Sequence, residues 1–378
     1  MLIRTLGLFL LFAIAVPVSA QEKGIPAAWS ITWDEDWVTA ITFVGKSQRI
    51  IAGNKQGRIV AWDLPEKAGD PLPSPVRRFD GHTNQITALA VTADGRWLVS
   101  TSYDHTVRLW DLQAPAKTKG TVLLRTGSKK KEKGDEMPVD VQDADKVLNA
   151  HAEWVRSLSL SPNGKLLLTG DDKGIVILWQ LPEGRELKRI TSQGWLKAVA
   201  LAPDGKQALT CASSVRYATF PNSLHIWDLA TGKLALNLGE TLTGKKKGSE
   251  AMGVAAACYS PDGKTIALAQ GAGEIEGGIG KVFLVDAASG KKLQEITAHQ
   301  SGVVALAFSP DGQHIASAGR DTLVKLWKVA DGKSVAVLGK SRGGQFRDWI
   351  HAVAFSADGA WLAAGDMAGF VHVFSLKK

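Results

Sequence analysis

The chain has little of several things. Among its 378 residues are only 2 Cys, 4 Met and 3 Tyr. Two cysteines cannot build a disulfide framework, and no cluster of them is available to hold zinc. Long apolar runs are scarce too. The longest, Leu6 to Val16, falls far short of the roughly 20 residues that cross a bilayer as a helix. A helical membrane protein is excluded. Charged residues make up 22% and hydrophobic ones 45%, an ordinary soluble balance that also excludes general disorder. The excess of one charge sign is modest: 45 Lys+Arg against 37 Asp+Glu give a formal +8. It is spread along the chain and says little about an acidic partner. No Gly-x-Ser-x-Gly nucleophile elbow occurs. The glycine-rich stretch 271–280 lacks the lysine and following helix of a phosphate loop. Lysine runs at 129–133 and 245–247 have no interleaved aromatics for base stacking, so no nucleic-acid partner is expected.

What is abundant is 39 Gly and 13 Trp, which suits an all-β chain with tight turns. The start reads separately. Met1 to Arg4 is short and basic, Leu6 to Val16 is apolar, and Val18-Ser19-Ala20 offers small residues to a signal peptidase. Residues 1–20 are therefore expected to be a signal peptide. The mature chain is then periplasmic or extracellular, with no transmembrane span.

A repeat governs the remainder. Ser309-Pro310-Asp311-Gly312 recurs as Ser260-Pro261-Asp262-Gly263, Ala202-Pro203-Asp204-Gly205 and Ser161-Pro162-Asn163-Gly164. Weaker copies are Thr92-Ala93-Asp94-Gly95, Ser356-Ala357-Asp358-Gly359 and Val44-Gly45-Lys46-Ser47. Proline presets φ and Asp/Asn-Gly accepts the left-handed position of a tight turn. With the proline slot as ruler, the steps are 48, 69, 41, 58, 49 and 47 residues. Each unit carries short apolar runs before and after the turn, an alternating third run and a β segment leading on. Four strands per unit at this period match a propeller blade, and no unit has an apolar stripe at helical spacing.

These units resemble the WD-repeat (WD40) β-propeller family. The dipeptide stands at Trp62-Asp63, Trp110-Asp111 and Trp227-Asp228, and the preceding Gly/Ala-His at Gly81-His82, Ala150-His151 and Ala298-His299. The resemblance implies a buried polar set in each blade, matched fully by His82, Ser100, Asp104, Trp110 and by His299, Ser317, Asp321, Trp327. A third unit has His151, Thr169 and Trp179, with Lys173 where the aspartate is expected; Val285 and Phe374 replace the tryptophan in units five and seven. It implies one all-β, seven-bladed propeller over residues 28–378, built of four-stranded antiparallel blades. Ala28 to Trp33 is expected to supply the last blade's fourth strand and close the ring.

Function is expected to be non-catalytic: a scaffold binding a protein or peptide, as a monomer or as a subunit of a hetero-complex. The alternative is a propeller enzyme of hydrolase or lactonase type, with its site at the channel mouth. No cofactor or metal is expected, because three of the 8 histidines fill the structural slot and none pairs at ligand spacing. Residues 114–144, inserted in blade two, read as a solvated loop, with Thr121 to Leu124 as a possible edge strand. Cys211 and Cys258 take small-residue slots in neighbouring blades and are expected to be free thiols. Eight residues before the proline slot stand Trp37, Trp154, Trp195 and Trp349. Two places on come Arg156, Lys197 and His351. These seven are the candidate partner-binding residues at one mouth of the ring, because Trp and Arg dominate binding hot spots.

Overall fold

The computed structural model describes residues 24–33, 36–67, 72–124, 135–192, 194–213, 223–243, 253–271, 279–340 and 349–377. The signal peptide read from the sequence lies outside them. Blade one is Val38–Phe43, Arg49–Asn54, Ile59–Asp63 and Ser74–Asp80; blade two is Ile86–Val91, Trp97–Ser102, Val107–Asp111 and Lys146–Leu148. Blades three to six begin at Val155, Trp195, Val254 and Val303. Blade seven is Ile350–Phe355, Trp361–Asp366 and Phe370–Ser375, completed by Trp29–Thr32, which pairs antiparallel with Phe370–Ser375. The first strands lie side by side around the ring, blade seven returning to blade one. The fold is a seven-bladed β-propeller closed by its N-terminal strand. Within the described residues the only helix is Leu238–Thr243, and none is long and apolar enough to cross a membrane.

Burial follows position in the blade. Second strands such as Trp361–Asp366 are buried throughout, because both faces pack on neighbouring sheets. Fourth strands such as Arg185–Thr191 face water and carry the charge. The Ser-Pro-Asp-Gly turn is locked by its own side chains. Ser309 Oγ donates to Asp311 Oδ1 (2.5 Å) and accepts from His314 N (2.9 Å), while Gly312 takes φ 69°.

One sheet departs from the repeat. The insertion is not a solvated loop: Thr118–Leu124 and Asp135–Asp143 form a hairpin, and the second of these strands pairs in parallel with the outer strand of blade one. Blade one thereby becomes six-stranded. The lysine-rich 125–134 between them lies outside the described residues. Arg77 Nη1 donates to Gln142 Oε1 (2.9 Å), and Arg78 Nη1 to the Thr121 carbonyl (2.6 Å). Val122 and Val139 join Trp29, Trp33, Trp62 and Trp361 in one core at the closure. Trp33 meets Trp62 edge-to-face at 5.1 Å. Burying one such indole contributes about 4–6 kcal/mol of gross transfer free energy at roughly 25 cal/mol per Å². The hairpin therefore braces the seam where the chain's beginning meets its end.

Candidate functional site at the channel mouth

The mouth is built by a device repeated in every blade. Each first strand slips register once against the second: between Val38 and Ala40, Ile86 and Ala88, Val155 and Ser157, Leu196 and Ala198, Val254 and Ala256, Val303 and Ala305, Ile350 and Ala352. The skipped residues are Thr39, Thr87, Arg156, Lys197, Ala255, Val304 and His351. A bulge leaves one residue unpaired and re-aims its side chain. Thr39 Oγ1 donates to the Ile86 carbonyl (2.5 Å) and Thr87 Oγ1 to the Val155 carbonyl (2.7 Å), stitching one blade to the next.

Above each bulge sits the outermost rim residue. Its carbonyl accepts from the residue eighteen places on, just past the second strand: Lys55 N to Trp37, Tyr103 N to Gln85, Asp172 N to Trp154, Arg320 N to Gly302 and Met367 N to Trp349. Two residues per blade thus form the rim. The sequence reading found the first and missed the second, namely Lys55, Tyr103, Asp172 and Arg320; the constant offset of eighteen was the signal.

In blades two and six the second residue packs on the next blade, and in blade one it folds back on its own blade's tryptophan. Tyr103 stacks on Trp154 (4.6 Å between centroids, 17° between planes). The Arg320 guanidinium lies 4.6 Å from the Trp349 ring centre, and Lys55 Nζ 3.9 Å from that of Trp37. Trp154 and Trp195 remain 42% and 43% exposed. Of the seven candidates, Trp37, Trp349 and His351 share one sector, with Trp37 stacked on His351 at 6.1 Å. Trp154 and Arg156 share another, their ring and guanidinium 5.5 Å apart. Trp195 and Lys197 stand on the following blade.

Electrostatics separate these groups. Both carboxylate oxygens of Asp172 accept from Arg156, Nη2 at 2.9 Å, and Arg156 Nη1 also bonds the Tyr103 hydroxyl. Burial pushes the Tyr103 phenol up, with Arg156 opposing. Burial, helped by the Arg320 charge, holds His351 down to about 4, so its ring is neutral near neutral pH. Burial also lowers Arg320.

The structural residues are joined as relays. In blade two the Trp110 indole donates to Ser100 Oγ (2.9 Å), Ser100 donates to His82 Nε2 (2.7 Å), and His82 Nδ1 donates to Asp104 (2.7 Å). Burial lowers the His82 pKa, partly offset by Asp104. Burial raises Asp104, but hydrogen bonds from His82 and Thr106 outweigh it and leave the carboxyl well below its usual range. Blade six repeats the relay through Trp327, Ser317, His299 and Asp321. Blade three also completes it. Lys173 is not a defect, because Asp171 supplies the carboxylate at 2.8 Å. Its turn has Gly174 at φ 81° as fourth residue, where blades two and six put His105 (φ 71°) and Thr322 (φ 67°) after the aspartate. The left-handed residue is the fourth of the turn in all three blades; blade three carries its carboxylate on the first turn residue, Asp171, and blades two and six on the third.

Cys211 and Cys258 are free thiols. Burial pushes both up, Cys258 to about 12, so neither is a reactive thiolate. Among the described residues no three His, Cys, Asp or Glu side chains are placed to hold a metal ion.

Comparison with known proteins agrees with this architecture. The family model for the WD domain, G-beta repeat, matches residues 73–111, 144–180, 290–328 and 335–375. These end in blades two, three, six and seven, each of which holds a His–Asp contact; that of blade seven joins His372 and Asp366 at 3.1 Å. The chain is 23% identical over 334 residues to the small ribosomal subunit protein RACK1 of Caenorhabditis elegans, covering 78% of this chain and 93% of that protein. To the proteins of the same name from Drosophila melanogaster and Candida albicans it is 23% identical over 329 residues and 24% over 328. Those alignments cover 78% and 82% of this chain and 94% and 98% of theirs.

Proposed function

We propose that this chain, a WD-repeat β-propeller, works as a non-catalytic scaffold that holds a protein or peptide segment across its channel mouth. One observation carries the reading. Two indoles, Trp154 and Trp195, stay about two-fifths exposed side by side on a rigid rim, where large aromatics normally bury themselves unless a partner covers them. Tyr103 stacks beside Trp154, and Trp37 and Trp349 add aromatic surface in the sector of blades one and seven. Bulge residues such as Arg156 and His351 bring charged or polar groups next to them. A rigid ring pre-organises such a surface, so little ordering entropy opposes binding. The relatives named as constituents of a ribosomal subunit support a role inside an assembly, at low identity.

The basic start, apolar run and small residues of positions 1–20 support export, so the partner belongs outside the cytoplasm. The experiment is an affinity capture from native envelope fractions with the wild-type chain and with Trp154→Ala and Trp195→Ala. The captured partner is expected to fall at least tenfold with either substitution at unchanged melting temperature. Full retention by both variants moves the site elsewhere. Fractionation of cells carrying the full chain should place the processed form outside the cytoplasm; an unprocessed cytosolic chain overturns that part.

A further inference from the structure

We propose that the segment accepted by the rim is acidic, and that one of its Asp or Glu carboxylates is held by Arg320 against the face of Trp349. The inference rests on the rim reading above and names the chemistry of its ligand.

It comes from a contrast between two arginines that reach rim tryptophans from different places in their blades. Each lies over a tryptophan of the rim, Arg156 over Trp154 and Arg320 over Trp349. Arg156 is satisfied from within: both oxygens of Asp172 accept from it, and it also bonds the Tyr103 hydroxyl. Its charge is spent on holding blades two and three together, and it has little left for a ligand. Arg320 occupies on blade six the place that Asp172 occupies on blade three. Its Nε is out of contact with water and has no hydrogen-bond partner. Among the described residues no carboxylate lies within ion-pair distance of it. His351, close enough to feel the Arg320 charge, is neutral for the reason given above. A partly desolvated guanidinium with an unmet donor is a poor resting arrangement unless something arrives to meet it. The ring beneath fixes the plane of the fork, and a planar carboxylate matches that fork.

The sector explains why the anion should be a peptide carboxylate rather than a phosphate. A phosphate dianion is usually met by a cluster of arginines, and among the described residues Arg320 is the one guanidinium over Trp349. The next cation, Lys55, sits one blade further on over Trp37. An extended segment could set one acid on Arg320 and lay its neighbouring side chains on Trp37 and Trp349.

The test uses the mature chain and arrays of nonapeptides with randomised flanks and a central Glu, Gln or phosphoserine, plus a series ending in a free C-terminal carboxylate. Glu-centred peptides should be retained at least tenfold better than their Gln isosteres. Arg320→Gln should erase that ratio at unchanged melting temperature, Arg320→Lys should restore part of it, and Lys264→Gln, at an exposed turn away from the rim, should leave it intact. Equal retention of Glu and Gln, a preference for phosphoserine or for the free C-terminus, or a Glu preference that survives Arg320→Gln overturns the proposal. If Trp154→Ala and Trp195→Ala abolish all retention while the Glu/Gln ratio is one, the rim stands and the acid anchor falls. No retention by the wild type removes both.

Discussion

The seam that closes the ring and the rim of its mouth are both rich in tryptophan, and they treat it in opposite ways. At the seam Trp33 is 2% exposed and Trp62 fully buried, packed on each other beneath the blade-one hairpin; on the rim Trp154 and Trp195 are 42% and 43% exposed. Every one of these residues lies at or near a strand end, so local propensity does not separate them. What differs is the neighbour. The seam receives two additional elements, the N-terminal strand and the inserted hairpin, and they exclude water. At the rim Tyr103 of the preceding blade stacks on Trp154, and both Trp154 and Trp195 keep about two-fifths of their surface open. A tryptophan count therefore says little about binding, whereas the place within the repeat says a great deal.

The comparison breaks most sharply if both regions respond alike to truncation. Trp33→Ala should cost about 3–5 kcal/mol of unfolding free energy, as for large aromatics removed from cores. Trp154→Ala should cost less than ~1 kcal/mol, since much of its surface is already in water. Urea titration of the two variants decides it, and equal costs would mean that the rim tryptophans are packing residues. Next in size is the relay inside blade two. Ser100→Ala leaves both the Trp110 indole and His82 Nε2 without a partner at a buried site, for an expected loss of about 2–3 kcal/mol. The seam offers the control: Ala52 stands in the serine slot of blade one, and the Trp62 indole nitrogen is buried there without a hydrogen bond. Trp62→Phe should thus be less damaging than Trp110→Phe.

A smaller effect tests the hairpin as a brace. A Cβ on Gly120 would come within 2.7 Å of Val141 Cγ2 and 3.2 Å of Arg78 Nη2. Gly120→Val should wedge the hairpin away from blade one and lower stability by roughly 1–3 kcal/mol. A merely solvated insertion would tolerate the change, and unchanged melting would return residues 114–144 to that status.

The repeat made the propeller legible, because the turn phrase and strand spacing recur often enough to count blades and to find the odd strand, Ala28 to Trp33, that closes them. It also carried the rim tryptophans, since a fixed offset from the turn marks the first strand. The hairpin stayed hidden because it is not part of the repeat. Its partners Arg77 and Arg78 lie in a different blade, where they read as ordinary outer-strand charge. Asp171 was passed over because the relay was sought only at the third turn residue, whereas blade three carries its carboxylate on the first. Arg320 and Tyr103 were missed because only one of each blade's two rim residues was counted.

The smallest expected effect lies at the rim and concerns protons. His351 is held near about 4 by burial and by Arg320, against about 6.5 in an unfolded chain. Its folded pKa is depressed, so the neutral ring's contribution is complete above about 6.5 and is lost as pH falls towards 4. Between those values the unfolded chain binds a proton that the folded chain refuses, and unfolding gains. At pH 5 the loss is on the order of 1 kcal/mol, after allowance for water at the mouth. His82 is lowered as well and adds a slope in the same direction, so the rim's share must be isolated. Melting temperatures of the wild type and His351→Gln, measured from pH 7.5 to 4.5, supply the difference. The variant should show a shallower decline below pH 6.5, with the two curves approaching each other as pH falls. Parallel curves would place His351 in contact with water in both states, and the closed packing of Trp37 on its ring would be wrong.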